Sequence, residues 1–161
     1  MHAAPDCLVI NTGPLIALAR VEALELVGRL PFRMLCPPQV RAELDAGARA
    51  GYLKVTPPWL VVEPLMRPLD PVASVNLDAG EAAVIQLALE QSGAWACLDD
   101  LKARRTALAV GLRVTGTLGL LARAKQSGLL PALRPLVERL QRDGIWFSSE
   151  LLELVLKDVG E

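Results

Sequence analysis

The residues with the most chemistry in this chain are acids and small polar groups placed where short apolar runs stop. Asn11-Thr12 follows the run Cys7-Leu8-Val9-Ile10, Asp99-Asp100 follows 94–98, and Thr115-Gly116-Thr117 closes 112–115. Sites in open α/β sheets form beyond the carboxyl ends of strands, so location alone makes these positions candidates. Two further acids lie in helical patterns. Glu43 comes three residues after Val40 and four before Gly47, and Glu81 precedes Val84, Ile85 and Ala88 by three, four and seven. That spacing puts both on a buried stripe, pointing inward. A buried carboxylate needs a partner, and no Lys or Arg is evident on those faces. Three separated acidic positions of this kind suit a hard, oxygen-liking cation, Mg²⁺ or Mn²⁺. Such ions serve phosphoryl chemistry, in which a pair about 3.5–4 Å apart clamps the attacking and leaving oxygens.

Each of these residues also has a plainer role. Asp78-Ala79-Gly80-Glu81 has the form of a capping box, and Asp99 or Asp100 could simply cap the next helix. Glu43 alone could be an exposed helix residue, and Asn11 a turn residue. The combination is what favours a shared site. Lys102, Arg104, Arg105 and Arg113 lie near the aspartates in sequence and could contact a phosphate backbone, or be solvated helix charges. Cys7, Cys36 and Cys97 include no Cys-x-x-Cys pair. All three fall in expected strands, where a buried Cys acts as a small hydrophobe. His2, the only histidine, lies too near the terminus to serve as a base.

The elements that must position these groups alternate. Expected strands cover 7–10, 32–36, 94–98 and 112–115, with a further edge strand at 59–62. Expected helices cover 15–30 (stopped by Pro31), 38–45 (with Gly47 as terminator), 79–91, 101–110, 116–127, 131–142 and 149–158, the last capped by Ser148 or Ser149. Residues 50–77 carry Pro57, Pro58, Pro64, Pro68 and Pro71 and read as a loop region. Strands alternating with helices predict an α/β fold with a mostly parallel sheet and right-handed crossovers. No Gly-x-Gly-x-x-Gly follows the first strand, which disfavours a dinucleotide-binding enzyme.

Composition sets outer limits. The chain has 161 residues, 52% apolar and 22% charged, which fits one packed domain over 1–161 and excludes disorder. A formal charge of −1 leaves no bulk positive field to capture nucleic acid. Bound cations would reverse the sign locally, however. The longest uncharged run, 7–19, falls short of the roughly 18–20 residues of a membrane span. The first residues lack the basic start of a signal peptide. Three scattered cysteines suggest a reducing compartment, hence a cytoplasmic protein.

Five segments together resemble PIN-domain proteins. Val9-Ile10-Asn11-Thr12-Gly13-Pro14-Leu15-Ile16-Ala17-Leu18 resembles the family's first strand and helix, and Pro37-Pro38-Gln39-Val40-Arg41-Ala42-Glu43-Leu44 its second acidic segment. Asp78-Ala79-Gly80-Glu81-Ala82-Ala83 resembles the third, Leu98-Asp99-Asp100-Leu101-Lys102-Ala103-Arg104 the strand-end acid, and Val114-Thr115-Gly116-Thr117-Leu118-Gly119 the last core strand and turn. The resemblance implies a three-layer α/β/α sandwich with C-terminal helices from about 131 to 158, and a metal-dependent ribonuclease. It also implies the toxin of a toxin–antitoxin pair, a small antitoxin partner and a homodimer. One departure stands out: the family's first acid is typically Asp, and here it is Asn11. The chain is similar to a PIN-like branch of uncharacterised function with an Asn-Thr/Ser-x-Pro-Leu-Ile opening.

On this reading Glu43, Glu81 and Asp99 or Asp100 bind Mg²⁺ or Mn²⁺, and Asn11 and Thr12 orient water or a phosphate oxygen. Lys102, Arg104, Arg105, Thr115 and Thr117 hold RNA. The alternative is a weak or inactive PIN-like module that binds RNA or a protein partner, since Asn offers a neutral oxygen where a charged one is usual.

Overall fold

A computed structural model describes residues 6–72 and 74–161; His2 lies outside them. Five parallel strands form one sheet in the order β3-β2-β1-β4-β5: β1 (Asp6–Ile10), β2 (Phe32–Cys36), β3 (Val61–Val62), β4 (Trp95–Cys97) and β5 (Arg113–Thr115). Helices pack against it to give the α/β/α sandwich expected from the alternating pattern. Leu8, Val9 and Ile10 of the central strand are completely buried, as a strand covered on both faces must be. Each fully buried side chain of this size contributes about 1.5–3 kcal/mol relative to exposure. The chain builds from β1 outward to β2 and β3, then returns to the other side of β1 to lay down β4 and β5. The direction of winding therefore reverses between β1 and β4.

The first expected helix is in fact two, α1 (Thr12–Arg20) and α2 (Leu24–Gly28). The break is a Schellman ending: Ala23 N–H donates to Leu18 O at 2.9 Å and Glu22 N–H to Ala19 O at 3.1 Å. Glu22 takes the left-handed conformation (φ 57°) that this motif requires and that usually selects Gly. Apolar spacing could not reveal it, because Leu18, Val21 and Val27 are buried on both sides of the break and the periodic pattern runs on.

Helix α3 (Pro38–Arg49) runs past its expected end. Gly47 lies inside it, and the terminator is Gly51 at φ 94°. Pro38 occupies the first turn, where its missing N–H is harmless. The expected strand 59–62 shrinks to two residues at the sheet edge, and β5 is the opposite edge, not a core strand. Helix α4 (Ala79–Glu90) starts at the Asp78–Glu81 capping box. The remaining helices are α5 (Leu101–Ala109), α6 (Thr117–Gln126), α7 (Arg134–Arg142) and α8 (Ser149–Asp158), the last capped by Ser148. Cys7, Cys36 and Cys97 are buried free thiols within strands. Burial pushes the Cys36 thiol up to about 11 and raises those of Cys7 and Cys97. Among the described residues, no helix is long and apolar enough to cross a membrane.

Candidate active site

The winding reversal falls at the carboxyl ends of β1 and β4, the position where open α/β sheets bind ligands. Asn11 is the first residue past β1. Its N–H donates to Cys97 O of β4 at 3.1 Å, which anchors it where β1 and β4 end. Its side chain is 8% exposed. Its Oδ1 is buried with no hydrogen-bond partner among the described residues. A buried carbonyl oxygen without a donor is costly, and Asn11 makes no capping bond to α1 that would account for it.

Next to Asn11, Thr12 Oγ1–H donates to Glu43 Oε2 at 2.9 Å, tying α1 to α3. Gly80 of α4 completes the seat: a Cβ there would collide with Glu43 Oε1. Glu43, Thr12 and the first turn of α4 are thus brought together. The expectation that both glutamates point inward is corrected. Glu43, midway along α3, is exposed, and Glu81, in the first turn of α4, is only half-buried. The expectation that no basic residue turns inward near Glu43 also fails. Arg41 is half-buried and bonds Asp45 at 3.0 Å and Val55 O at 2.6 Å.

Glu81 closes the capping box. Its N–H donates to Asp78 Oδ1 at 2.7 Å, and its Oε2 accepts from Asp78 N–H at 3.3 Å. Partial burial raises its pKa, with the Asp78 and Asp100 charges adding to the rise. The influence of Asp100 brings α4 and the β4 end into one electrostatic neighbourhood.

The two aspartates after β4 divide their work. Asp100 caps α5, accepting from Ala103 N–H at 2.9 Å. Asp99 turns to α6, where Thr117 donates its N–H to Oδ1 at 2.8 Å and its hydroxyl to Oδ2 at 2.5 Å. Thr117 is 0% exposed. Between them Gly116 has no room for a Cβ beside Asp99 Oδ1. Thr117, expected to hold substrate, is instead spent on Asp99. Thr115 is buried at the end of β5, with its hydroxyl packed against Gly119.

The basic residues separate. Arg104 folds back to donate to Leu98 O at 2.8 Å. Lys102 and Arg105 are exposed on α5. Arg113 does not lie beside the aspartates: it opens β5 opposite Trp95, at the amino end of the sheet. There its guanidinium stacks 4.5 Å from the Trp95 ring and pairs with Asp6 at 3.6 Å. Sequence reading missed the seating roles of Gly80 and Gly116. Their only signal was position, one residue before Glu81 and Thr117.

Residues 7–161 match a family model described as a PIN domain, DUF3368. The chain belongs to the PIN-domain family. No curated protein matches it. PIN domains are in general nuclease-type modules that use divalent metals. Among the described residues, no three His, Cys, Asp or Glu side chains converge into a ready-made cage. The orphaned Asn11 Oδ1, one residue before the Thr12 that bonds Glu43, is a donor suited to a cation of Mg²⁺ type, which takes one or two carboxylates and keeps several waters. All the donors are hard oxygens, which again suits Mg²⁺ or Mn²⁺.

Proposed function

We propose that this PIN domain is a Mg²⁺- or Mn²⁺-dependent endoribonuclease. The observation that carries the reading is the unsatisfied Asn11 Oδ1 just past the carboxyl end of β1, at the sheet edge where Thr12 seats Glu43 and Thr117 seats Asp99. Asn11, Glu43 and Asp99 would hold the cation, with Glu81 and Asp100 flanking them. When bound, the cation lowers the pKa of a coordinated water and polarises the scissile phosphate. Thr12 keeps Glu43 oriented, and Thr117 does the same for Asp99. Burial, with the Asp78 and Asp100 charges adding to it, raises the pKa of Glu81 above the ordinary carboxylate value. Lys102 and Arg105 on the exposed face of α5 supply phosphate contacts.

The partners that accompany this reading are RNA, a small antitoxin protein and a second copy of the chain in the cytoplasm. Family membership is their support. The test is cleavage of structured and single-stranded RNA by purified protein with Mn²⁺, beside Glu43→Gln and Asp99→Asn. Wild type should cleave and both variants should lose most activity. Equal cleavage by all three would mean a contaminating nuclease and end the assignment.

A second reading is a binding module that has lost catalysis. It is favoured by the neutral Asn11 and by the occupation of both Asp99 oxygens by Thr117. Here Asn11→Asp is decisive: strong Mn²⁺-dependent cleavage by the variant, with none by wild type, makes the natural protein a degenerate nuclease.

A further inference from the structure

A cavity of about 340 Å³ opens directly off Glu43, in the groove between α1 and α3. Ile16 and Arg20 form one wall, Glu43 and Gly47 the other, and Tyr52 and Leu53 the far end. Its origin is visible in the local chemistry. Helix α3 ends in a Schellman motif, with Tyr52 N–H donating to Gly47 O at 3.0 Å and Gly51 N–H to Ala48 O at 3.2 Å. In that motif the residue after the left-handed position usually packs on the side chain five residues earlier. Those two residues are Tyr52 and Gly47, and the glycine offers no side chain to receive the ring.

Nothing local requires the glycine. A Cβ at Gly47 would meet no atom within 4 Å, and a glycine inside a helix costs about 0.5–1 kcal/mol relative to Ala. The consequence is a fixed backbone carrying a free ring. Tyr52, the only tyrosine, is 71% exposed and Leu53 is 52% exposed. Arg20 stands exposed at the end of α1, with no ion pair among the described residues.

We propose that this cavity is a base-binding subsite for single-stranded RNA, in which one unpaired base stacks on Tyr52 and Arg20 holds the adjoining phosphate. An aromatic face beside apolar walls and one unpaired cation is the chemistry by which proteins hold unstacked bases. The volume is within the range of small-ligand sites. Glu43 lines this cavity and bonds Thr12, the residue after Asn11, so a base held in the cavity would lie next to the candidate site. The proposal rests on the nuclease reading for its link to cleavage, but not for binding itself.

The experiment measures anisotropy of fluorescein-labelled single-stranded RNA with the full chain in EDTA, where no cleavage occurs. Tyr52→Ala should weaken binding about tenfold, a loss typical of one stacked base, while Tyr52→Phe should bind as wild type does. Gly47→Leu fills the cavity from a helix position where a side chain has room. It should weaken binding to a similar degree with an unchanged or raised melting temperature. Wild-type affinity in both Tyr52→Ala and Gly47→Leu, or no RNA binding by wild type, overturns the subsite. If those two variants bind normally while Glu43→Gln abolishes Mn²⁺-dependent cleavage, the subsite falls and the nuclease reading stands. If they bind weakly while cleavage is absent or indifferent to Glu43, the reverse holds.

Discussion

Thr117→Val asks whether the Asp99 carboxylate is held or merely present. The hydroxyl lost lies 2.5 Å from Asp99 Oδ2 in a fully buried residue. Hydrogen bonds to charged groups contribute about 1.5–3 kcal/mol. Two features move this case to the lower end. Asp99 is itself exposed, so water can replace part of the bond, and the Thr117 N–H bond to Oδ1 at 2.8 Å survives the substitution. A net loss of about 1–2 kcal/mol is expected, or about 2–8 °C in Tm for a domain of this size.

Stability alone cannot separate the bond from a packing change, so a double-mutant cycle with Asp99→Ala by urea unfolding is the assay. Thr117→Ser, which keeps the hydroxyl, is the control. If the pair interacts as the geometry says, the coupling exceeds the roughly 0.3–0.5 kcal/mol within which independent sites add. Additive losses, or a Thr117→Ser variant as unstable as Thr117→Val, would refute the clamp. The cleavage assay should follow the same order, since a freed Asp99 samples more orientations than the reaction can use.

Three further outcomes follow from particular contacts. Gly80→Ala should leave the fold intact, because the atom it meets is the mobile tip of Glu43; RNA cleavage should drop as Glu43 leaves Thr12, and an unchanged rate would mean that seat is irrelevant. Glu161 accepts from Leu133 N–H and from Arg134 N–H at the start of α7, and these bonds, that to Leu133 first, hold its pKa below the ordinary carboxylate value. Its stabilisation is therefore present above the unfolded carboxylate pKa and lost as pH falls through the lower folded one, so Glu161→Gln should lower Tm at pH 7 and have little effect in strong acid. Finally, the three buried thiols should resist iodoacetamide at pH 8 in the native protein and react fully in urea; native labelling of Cys36 would contradict its burial.

Much of the fold was legible because its signals are local. Short apolar runs ended by Asn, Pro or Asp marked the strands, and Asp78 and Ser148 announced their helices through caps that the structure contains. What escaped depended on three dimensions. The helix after β1 breaks at Glu22, where the left-handed turn is made by a residue that rarely takes it. Of the candidate site, the positions of Asn11 and Asp99 were legible because following a parallel strand fixes them at one edge of the sheet. Glu43 and Glu81 were expected to point inward, and the structure leaves the first exposed and the second half-buried. A helical wheel gives the face of a residue, not whether a neighbouring layer reaches its turn. Arg113 shows the complementary error: the three residues of β5 carry it to the opposite end of the sheet from Thr115, although the two are close in sequence.

The threonines explain how a site with a neutral Asn11 keeps a defined shape. Glu43 and Asp99 come from different elements, α3 and the end of β4, and each is exposed, so neither would hold one rotamer unaided. Thr12 and Thr117 begin α1 and α6, the helices that follow strand ends at the same edge. Each reaches out to one carboxylate. Gly80 and Gly116 leave the space those carboxylates occupy. The acids are thereby oriented by rigid elements whose own positions are set by the sheet. Asn11 Oδ1, the one acceptor of this set that is buried without a donor, is the atom at which that preorganised edge remains chemically incomplete.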